Sequence, residues 1–521
     1  MSDSGQKLVT IGIDAPNYDL LNKWISQGLL PNIKALMSEG YQCDLHHKKY
    51  YRNENCWKIF SQTKFSGSSG FKYSADRYEF EYDRLNDELQ DAFYGLGDKK
   101  RVCSFDLPIP FAKNVNGIQI NGWASELSDS VAQSDPPELI AEIEKTFGGD
   151  PKLEGISPKY NNEKKLLYRS YPLPSVYNQT ELYKLTDQLI ASVNRRTAIS
   201  CSLLAKEPWD LFLTCFCESH TANHLLWHLD NDGPIKFEGP KRLAILEVTQ
   251  AIDRAIGEIK NNLLKCQSLV VYSIDHTAQN LMDIPSMVFL PEILFRWSFN
   301  GQAAIGSKDL KAELDSFDYL FYPHWKNEIE SLLTPLGRQL LVPPTILDGI
   351  GDPLSWNPAS WYRDCWPKMR AFALPSVSDG YIRLNVKGRE RQGVVEQARF
   401  QEEIDVLIKL LNSLVNLRTR EPMVEKIIQV RAHANELTKL PADLIVCWAN
   451  KQPADAVDLP GLGQIGPVPF FRTGGHVAHG TDINNFFVVS GPAAQRIKDN
   501  NNGLTSMELD QLAKLMLSVF E

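Results

Sequence analysis

The sequence predicts an α/β protein built on a mixed, mostly parallel β-sheet sandwiched between helices. Short, continuous apolar runs recur along the chain, and such runs are typical of strands that are covered on both faces. Segments with helical periodicity alternate with these runs, which indicates strand–helix units. Several runs also end in acidic residues or histidines, at the edge of an open α/β sheet where ligands bind.

The first strand–helix unit lies near the N-terminus. "KLVTIGID", residues 7–14, is a buried-type strand that ends in Asp14. "YDLLNKWISQGLLPNIKALMSEG" follows with helical periodicity and ends in a glycine, a residue that often stops a helix. We therefore expect Asp14 at the carboxyl end of a strand.

Later runs repeat this pattern. "WDLFLTCFCESH" and "SLVVYSIDHT" are predicted strands, and the amphipathic helix "LEVTQAIDRAIGEIKNNLL" separates them. "ADLIVCWAN" and "NNFFVVSGP" are strand-like, with the glycine-rich loop "FRTGGHVAHGTD" between them. The four predicted strand ends carry Asp14, His220 with His224, Asp275 with His276, and His476 with His479.

Residues 290–420 differ from the rest of the chain. "PTILDGIGDPLSWNPASWYRDCWPKMRAF" is rich in tryptophan and proline, and the strand-like "GYIRLNVKGRERQGVV" follows it. We predict an α/β core from residues 1–290 and 420–521, with 290–420 inserted as a cap or substrate region. A cap over the ligand edge would select the substrate and limit the access of water.

The composition excludes some classes of partner. A net charge of −9 over 521 residues, without a basic run, argues against nucleic-acid binding, which needs basic patches. No signal peptide or apolar anchor is visible, and the nine cysteines are odd in number and scattered, as in proteins with reduced thiols. We expect a cytoplasmic protein that acts on a small-molecule substrate without a membrane partner. The oligomeric state stays open.

The segment "ESHTANHLLWHLD", residues 218–230, places His220, His224 and His228 four residues apart. On a helix this spacing puts the imidazoles on one face, where two of them can bind one metal ion. A solvated or core helix face is the alternative. The acids and histidines at the other strand ends favour metal binding, and we interpret His228 and His479 as outer-sphere or surface residues.

The order of these motifs resembles the alkaline phosphatase superfamily, in particular its type I phosphodiesterase/nucleotide pyrophosphatase-like branch. "VTIGIDAPNYDLLNKWISQGLLPNIKALMSEG" is similar to the family's metal-aspartate segment, and "PIPFAKNVNGIQINGW" to its "PPxPVNG" segment. "HTANHLLWH" resembles its Asp-x-x-x-His helix, "YSIDHT" its Ser-Asp-His-Gly turn, "YIRLNVKGRERQGVV" its "iNlkGRexxGiV" strand and "GGHVAHG" its final metal-histidine loop. The resemblance covers nearly the whole chain and implies an alkaline phosphatase-like fold.

The resemblance also implies two divalent metal ions, for which we favour zinc, with iron or manganese as alternatives. Two ions about 3.5–4 Å apart can hold the attacking and leaving oxygens of a phosphoryl transfer. Asp14, Asp275 and His276 would bind one ion. His220, His224 and His476 would bind the other.

Three departures from the family pattern concern this site. The family usually has aspartate at the position of His220, and histidine there shifts the preference toward softer transition metals. The motif "SIDHT" holds one residue more than the family turn. In "YYRNENCWKIFSQ", Trp57 aligns with a family aromatic residue, which places Asn53 where the family has its threonine or serine nucleophile.

Asn53 changes the expected chemistry. An amide cannot form a phospho-enzyme intermediate, although its carbonyl can bind a metal. Glu54 is a candidate base or additional ligand, and an acid at a helix start is the alternative interpretation. Cys56, Ser61 and Thr63 lie nearby at spacings that do not fit a replacement nucleophile.

The sequence supports three functional hypotheses. The first is a metal-dependent, phosphodiesterase-like enzyme that acts on a phosphate-type ester with metal-activated water as nucleophile. The second is a non-hydrolytic dinuclear metalloenzyme, including one with redox chemistry, in the biosynthesis of a small metabolite. The third is a binding protein that has kept the fold and lost catalysis.

Overall fold

The structure is a computed structural model, and the residues that it describes are 6–48, 56–63, 71–82, 91–124, 132–154, 159–160, 166–168, 174–307, 322–350, 352, 354–438, 440–449, 452–477 and 482–520. No helix in these ranges is both long enough and apolar enough to span a bilayer.

The strands in these ranges are β1 (Lys7–Asp14), β2 (Tyr41–Lys48), β3 (Phe71–Ser74), β4 (Glu79–Tyr82), β5 (Arg101–Phe105), β6 (Asn116–Asn121), β7 (Gln133–Asp135), β8 (Lys159–Tyr160), β9 (Leu166–Tyr168), β10 (Leu211–Phe216), β11 (Gln267–Ile274), β12 (Thr277–Gln279), β13 (Ala371–Leu374), β14 (Gly380–Leu384), β15 (Val415–Asn416), β16 (Val424–Gln429), β17 (Leu444–Trp448), β18 (Val457–Leu459), β19 (Gly463–Ile465), β20 (Gly474–His476), β21 (Asp482–Ser490) and β22 (Ser506–Glu508).

The α-helices in the same ranges are α1 (Tyr18–Ser26), α2 (Pro31–Glu39), α3 (Cys56–Gln62), α4 (Leu139–Phe147), α5 (Gln179–Lys206), α6 (Glu218–Asp230), α7 (Ala244–Asn261), α8 (Leu290–Ser298), α9 (Tyr322–Ser331), α10 (Pro335–Leu340), α11 (Pro344–Gly349), α12 (Phe400–Leu411), α13 (Ala494–Asn500) and α14 (Leu509–Leu517).

The central sheet has nine strands in the order β22-β2-β21-β11-β1-β10-β5-β6-β7. The run from β11 through β1, β10 and β5 to β6 is parallel, and β2 also pairs parallel with β22. The pairings of β21 with β11 and β2, and of β6 with β7, are antiparallel. The prediction of a mixed, mostly parallel sheet is therefore confirmed.

Helices cover both faces of this sheet. On β11, Leu269 and Val271 belong to one hydrophobic core and Val270 and Tyr272 to another, because successive side chains of a strand point to opposite faces. Helices α5, α6 and α7 contribute to the first core, and α3 and α14 contribute to the second. Burial on both faces explains why the predicted strands are continuous apolar runs instead of alternating ones.

A second, four-stranded antiparallel sheet has the order β13-β14-β17-β16. Its strands lie on both sides of residue 420, since β14 precedes that point and its partner β17 follows it. Phe372, Ile382 and Val446 of this sheet belong to the same hydrophobic core as α5, α6 and α7. The division of the chain at 290 and 420 stays a prediction.

A buried ionic network fixes the start of α6. The Arg196 side chain of α5 is fully buried, and its Nε donates to Glu218 Oε1 at 3.0 Å while its Nη2 donates to Asp106 Oδ2 at 2.8 Å. Burial lowers the pKa of Arg196, but the charges of Glu218 and Asp106 outweigh this effect and hold the pKa above its ordinary value. Because Glu218 is the first residue of α6, this network sets the position of the helix that carries His220 and His224.

We predict that Arg196→Met lowers the free energy of unfolding by about 3–5 kcal/mol, because it leaves two buried carboxylates without their cation. Denaturant-induced unfolding measures this change. Arg195→Met is the matched control at the next position. Arg195 pairs with Glu154, whose side chain is 63% exposed, so its loss should cost less than about 1 kcal/mol. Equal losses in the two variants would contradict the structural role of Arg196.

Candidate metal centre

Three neighbouring elements converge at the carboxyl edge of the central sheet. β10 and β11 flank β1 and run parallel to it, so the residues that follow all three strands lie at one edge. Asp14 ends β1, and α6 starts shortly after β10. β20 pairs antiparallel with β12, which follows β11, and Thr277 lies opposite His476. The loop near the C-terminus thereby returns to the same edge.

His220, His224 and His476 meet at this edge. One ring nitrogen of each lies within 4.8 Å of the other two, and His220 Nε2 is 3.1 Å from His476 Nε2. Among the described residues, these three are the one group of potential ligands that could hold a metal ion. The face of α6 is buried, so the solvated-face alternative for this helix does not hold.

Each of the three imidazoles has its Nδ1 atom beside an oxygen of another residue. The pairs are His220 Nδ1 with Asp14 Oδ2 at 2.8 Å, His224 Nδ1 with the Gly474 carbonyl oxygen at 2.9 Å, and His476 Nδ1 with Asp275 Oδ2 at 3.4 Å. An oxygen acceptor at Nδ1, as at His220 and His224, places the imidazole proton on that atom and leaves the Nε2 lone pair for a ligand. His220, His224 and His476 are therefore the candidate metal ligands at this edge.

Asp14 connects three parts of the site. Its Oδ1 accepts from the Trp57 indole N–H at 2.6 Å, and its Oδ2 contacts His220. Its backbone carbonyl accepts from the Ser219 hydroxyl in the first turn of α6. Asp14 is buried, so these contacts replace the water that a carboxylate otherwise needs.

His276 faces a different direction. Its Nδ1 accepts from the backbone N–H of Tyr18 at 3.3 Å, and its Nε2 is 3.4 Å from Asn17 Nδ2. Asn17 also caps α1 by accepting from the Leu20 N–H. The structure thus places His276 at the start of α1 and brings His220, His224 and His476 together, with Asp14 and Asp275 behind two of the imidazoles.

Arg472 is a site residue that the sequence reasoning missed. Its guanidinium is buried, its Nε donates to Asp283, and its Nη1 is 3.2 Å from His224 Nε2. Asn280 in turn donates to Asp283 Oδ2 at 2.7 Å and so fixes the carboxylate. The only signal in the sequence is that Arg472 lies in the same loop as His476.

His224 lies in a setting that favours a neutral imidazole. Burial lowers the pKa of His224 well below its usual value, and the Arg472 charge and the two neighbouring imidazoles lower it further. A neutral imidazole is the form that binds a metal.

His228 is buried one turn beyond the cluster, and burial lowers its pKa to about 3. Its Nδ1 lies 2.8 Å from Thr473 Oγ1, so it contacts the loop that carries His476 without joining the group of three. Asn53, Glu54 and His479 lie outside the described residues. The roles assigned to them stay predictions.

Three solved structures are similar to this chain. The alkaline phosphatase PafA covers 100% of this chain and 96% of its own, with 10% identity and a TM-score of 0.50. Phosphonoacetate hydrolase from Sinorhizobium meliloti 1021 covers 99% and 95%, with 12% identity and a TM-score of 0.46. Murine ectonucleotide pyrophosphatase/phosphodiesterase 5 covers 99% and 95%, with 10% identity and a TM-score of 0.43. No protein-family model and no curated protein matches the sequence. The chain has an alkaline phosphatase-like fold, as predicted.

We predict that His224→Ala and His476→Ala each lower the affinity for zinc by more than about 100-fold, because each removes a direct ligand. Loss of an outer-sphere partner costs about 10–100-fold. Elemental analysis after dialysis measures the bound metal. His228→Ala is the matched control on the same helix face and should retain it. Full metal occupancy in both His224→Ala and His476→Ala would contradict the assignment.

Proposed function

We propose that this protein is a metal-dependent hydrolase that acts on a phosphate-type ester of a small molecule. The observation that carries the proposal is the convergence of three imidazoles, two of which have their Nδ1 atoms hydrogen-bonded to oxygen acceptors. The alkaline phosphatase-like fold supports it, and so does a buried arginine beside the imidazoles.

The donor set suits a transition-metal ion. Three histidine nitrogens form a known catalytic zinc set, and imidazole also binds iron. When bound, a divalent ion lowers the pKa of a water molecule to near neutrality and so supplies a nucleophile. This nucleophile would replace the side-chain hydroxyl that the chain lacks at position 53, where it has Asn53.

Arg472 would bind the substrate's anionic oxygens. A guanidinium presents several N–H groups in a planar fork, a geometry that matches phosphate. Asp283 accepts a hydrogen bond from Arg472 Nε, so the guanidinium is already oriented before the substrate binds. An ion at His224 Nε2 would compete with Arg472 Nη1 for the same lone pair and release that donor toward the substrate.

The remaining roles follow from the sequence assignments. Asn53 would contribute a carbonyl oxygen to the ion or to the substrate, and Glu54 would act as a general base. The region 290–420 would limit the access of water and select the ester. Metal identity separates this proposal from its alternatives: bound zinc or manganese supports hydrolysis, iron supports redox chemistry, and the lack of any tightly bound metal supports a binding protein.

We predict that hydrolysis inverts the configuration at phosphorus. Without a hydroxyl at position 53, water attacks in a single in-line displacement, and one displacement inverts the centre. A chirally labelled phosphodiester, analysed by ³¹P NMR of the product, reports the outcome. Retention would indicate two displacements through an enzyme nucleophile such as Cys56 or Ser61, and would refute direct attack by water.

We also predict that Arg472→Gln lowers kcat/KM by about 10–100-fold, since a hydrogen bond to a charged group contributes about 1.5–3 kcal/mol. The variant should still bind metal, because Arg472 is not a ligand. Arg254→Gln, at an exposed position of α7, is the control and should leave kcat/KM unchanged. An unaltered kcat/KM in Arg472→Gln would remove Arg472 from substrate binding.

A further inference from the structure

We infer that the site binds one metal ion through the Nε2 atoms of His220, His224 and His476, and that Asp14 and Asp275 orient imidazoles instead of binding a second ion. This inference rests on the metal dependence proposed above and does not depend on the substrate. It departs from the two ions that the sequence resemblance implies.

The position of Asp14 supports this assignment. Its Oδ2 lies 2.8 Å from His220 Nδ1, and the imidazole ring therefore stands between Asp14 and an ion at His220 Nε2. Its Oδ1 accepts from the indole of Trp57, which donates only and is itself 5% exposed. Both carboxylate oxygens of Asp14 are therefore close to a hydrogen-bond donor. One of these donors is His220, which is itself a ligand in the inferred site.

Asp275 lies beside a second imidazole. Its Oδ2 is 3.4 Å from His476 Nδ1, within ion-pair distance. Its Oδ1 accepts from the His276 backbone N–H at 2.8 Å. A carboxylate at the outer nitrogen of a histidine ligand fixes the ring and raises its basicity, which is the usual arrangement around bound zinc.

His276, the third residue that the sequence resemblance assigns to a second ion, points toward α1. His276 Nδ1 accepts from the Tyr18 N–H, and its Nε2 faces Asn17. The contacts described for Asp14, Asp275 and His276 are thus with different groups. In the part of the chain that the structure describes, a second group of three convergent ligands is not found.

Charge balance explains why the acids need no second ion. Two facing carboxylates would repel each other unless a cation stood between them, whereas an imidazole N–H stabilises a carboxylate directly. His220 and His476 each place a ring nitrogen against one carboxylate. The three imidazoles would hold the ion through neutral nitrogen ligands, a donor set found in catalytic zinc sites that bind water or substrate.

Zinc stoichiometry tests the inference. Metal-free full-length protein is titrated with Zn²⁺ alone and followed by native mass spectrometry and calorimetry. We expect one equivalent in the wild type, and one equivalent with about 10–100-fold weaker binding in Asp14→Asn and Asp275→Asn. His276→Gln should bind one equivalent with unchanged affinity, since His276 faces α1. Circular dichroism checks that each variant is folded.

Two equivalents in the wild type, falling to one in Asp14→Asn or His276→Gln, would overturn the inference. His276→Gln keeps the test decisive if Asp14→Asn does not fold. Absence of tightly bound zinc in the wild type would overturn the inference and the proposed function together. One equivalent of zinc without hydrolysis would support the inference and refute only the proposed function. Two equivalents with hydrolysis would refute the inference and support the proposed function.

Discussion

The contact between Asp14 and His220 determines most of the geometry at this site. Asp14 ends the central strand, and His220 lies in the first turn of the neighbouring helix, so one bond of 2.8 Å joins the sheet edge to the histidine face. The carboxylate favours a proton on His220 Nδ1, and His220 Nε2 lies 3.1 Å from His476 Nε2. The Ser219 hydroxyl, bonded to the Asp14 carbonyl, holds the same helix turn against the strand.

Buried charges support this contact from two sides. Arg196 holds Glu218 and Asp106 below α6, and Asp283 holds Arg472 beside His224. Burying ions costs solvation energy, and replacing a buried pair with apolar residues is often neutral or stabilising. The value of these pairs therefore lies in position: the first sets where the histidine helix starts, and the second places a cation next to the imidazoles.

The inferred single-ion site depends on the histidine at position 220, where the family that the sequence resembles usually has aspartate. An aspartate there would face Asp14 with a second negative charge, and a cation would be needed to hold the two together. The imidazole of His220 satisfies Asp14 by hydrogen bonding and directs its other nitrogen inward. In the single-ion arrangement that we infer, Asp14 orients His220, and Asp275 has the same role beside His476.

The sequence by itself determined the fold class and the edge on which the site lies. Apolar runs followed by polar residues predict buried parallel strands, and the spacing of His220 and His224 places them on one helix face, because both signals are local. Only the tertiary structure decided what each side chain contacts. Arg472 reaches Asp283 across 189 positions, β17 pairs with β14 across the boundary predicted at 420, and His276 turns to α1 although it directly follows Asp275. Sequence periodicity places a residue at an edge or on a face, but long-range packing decides where its side chain points.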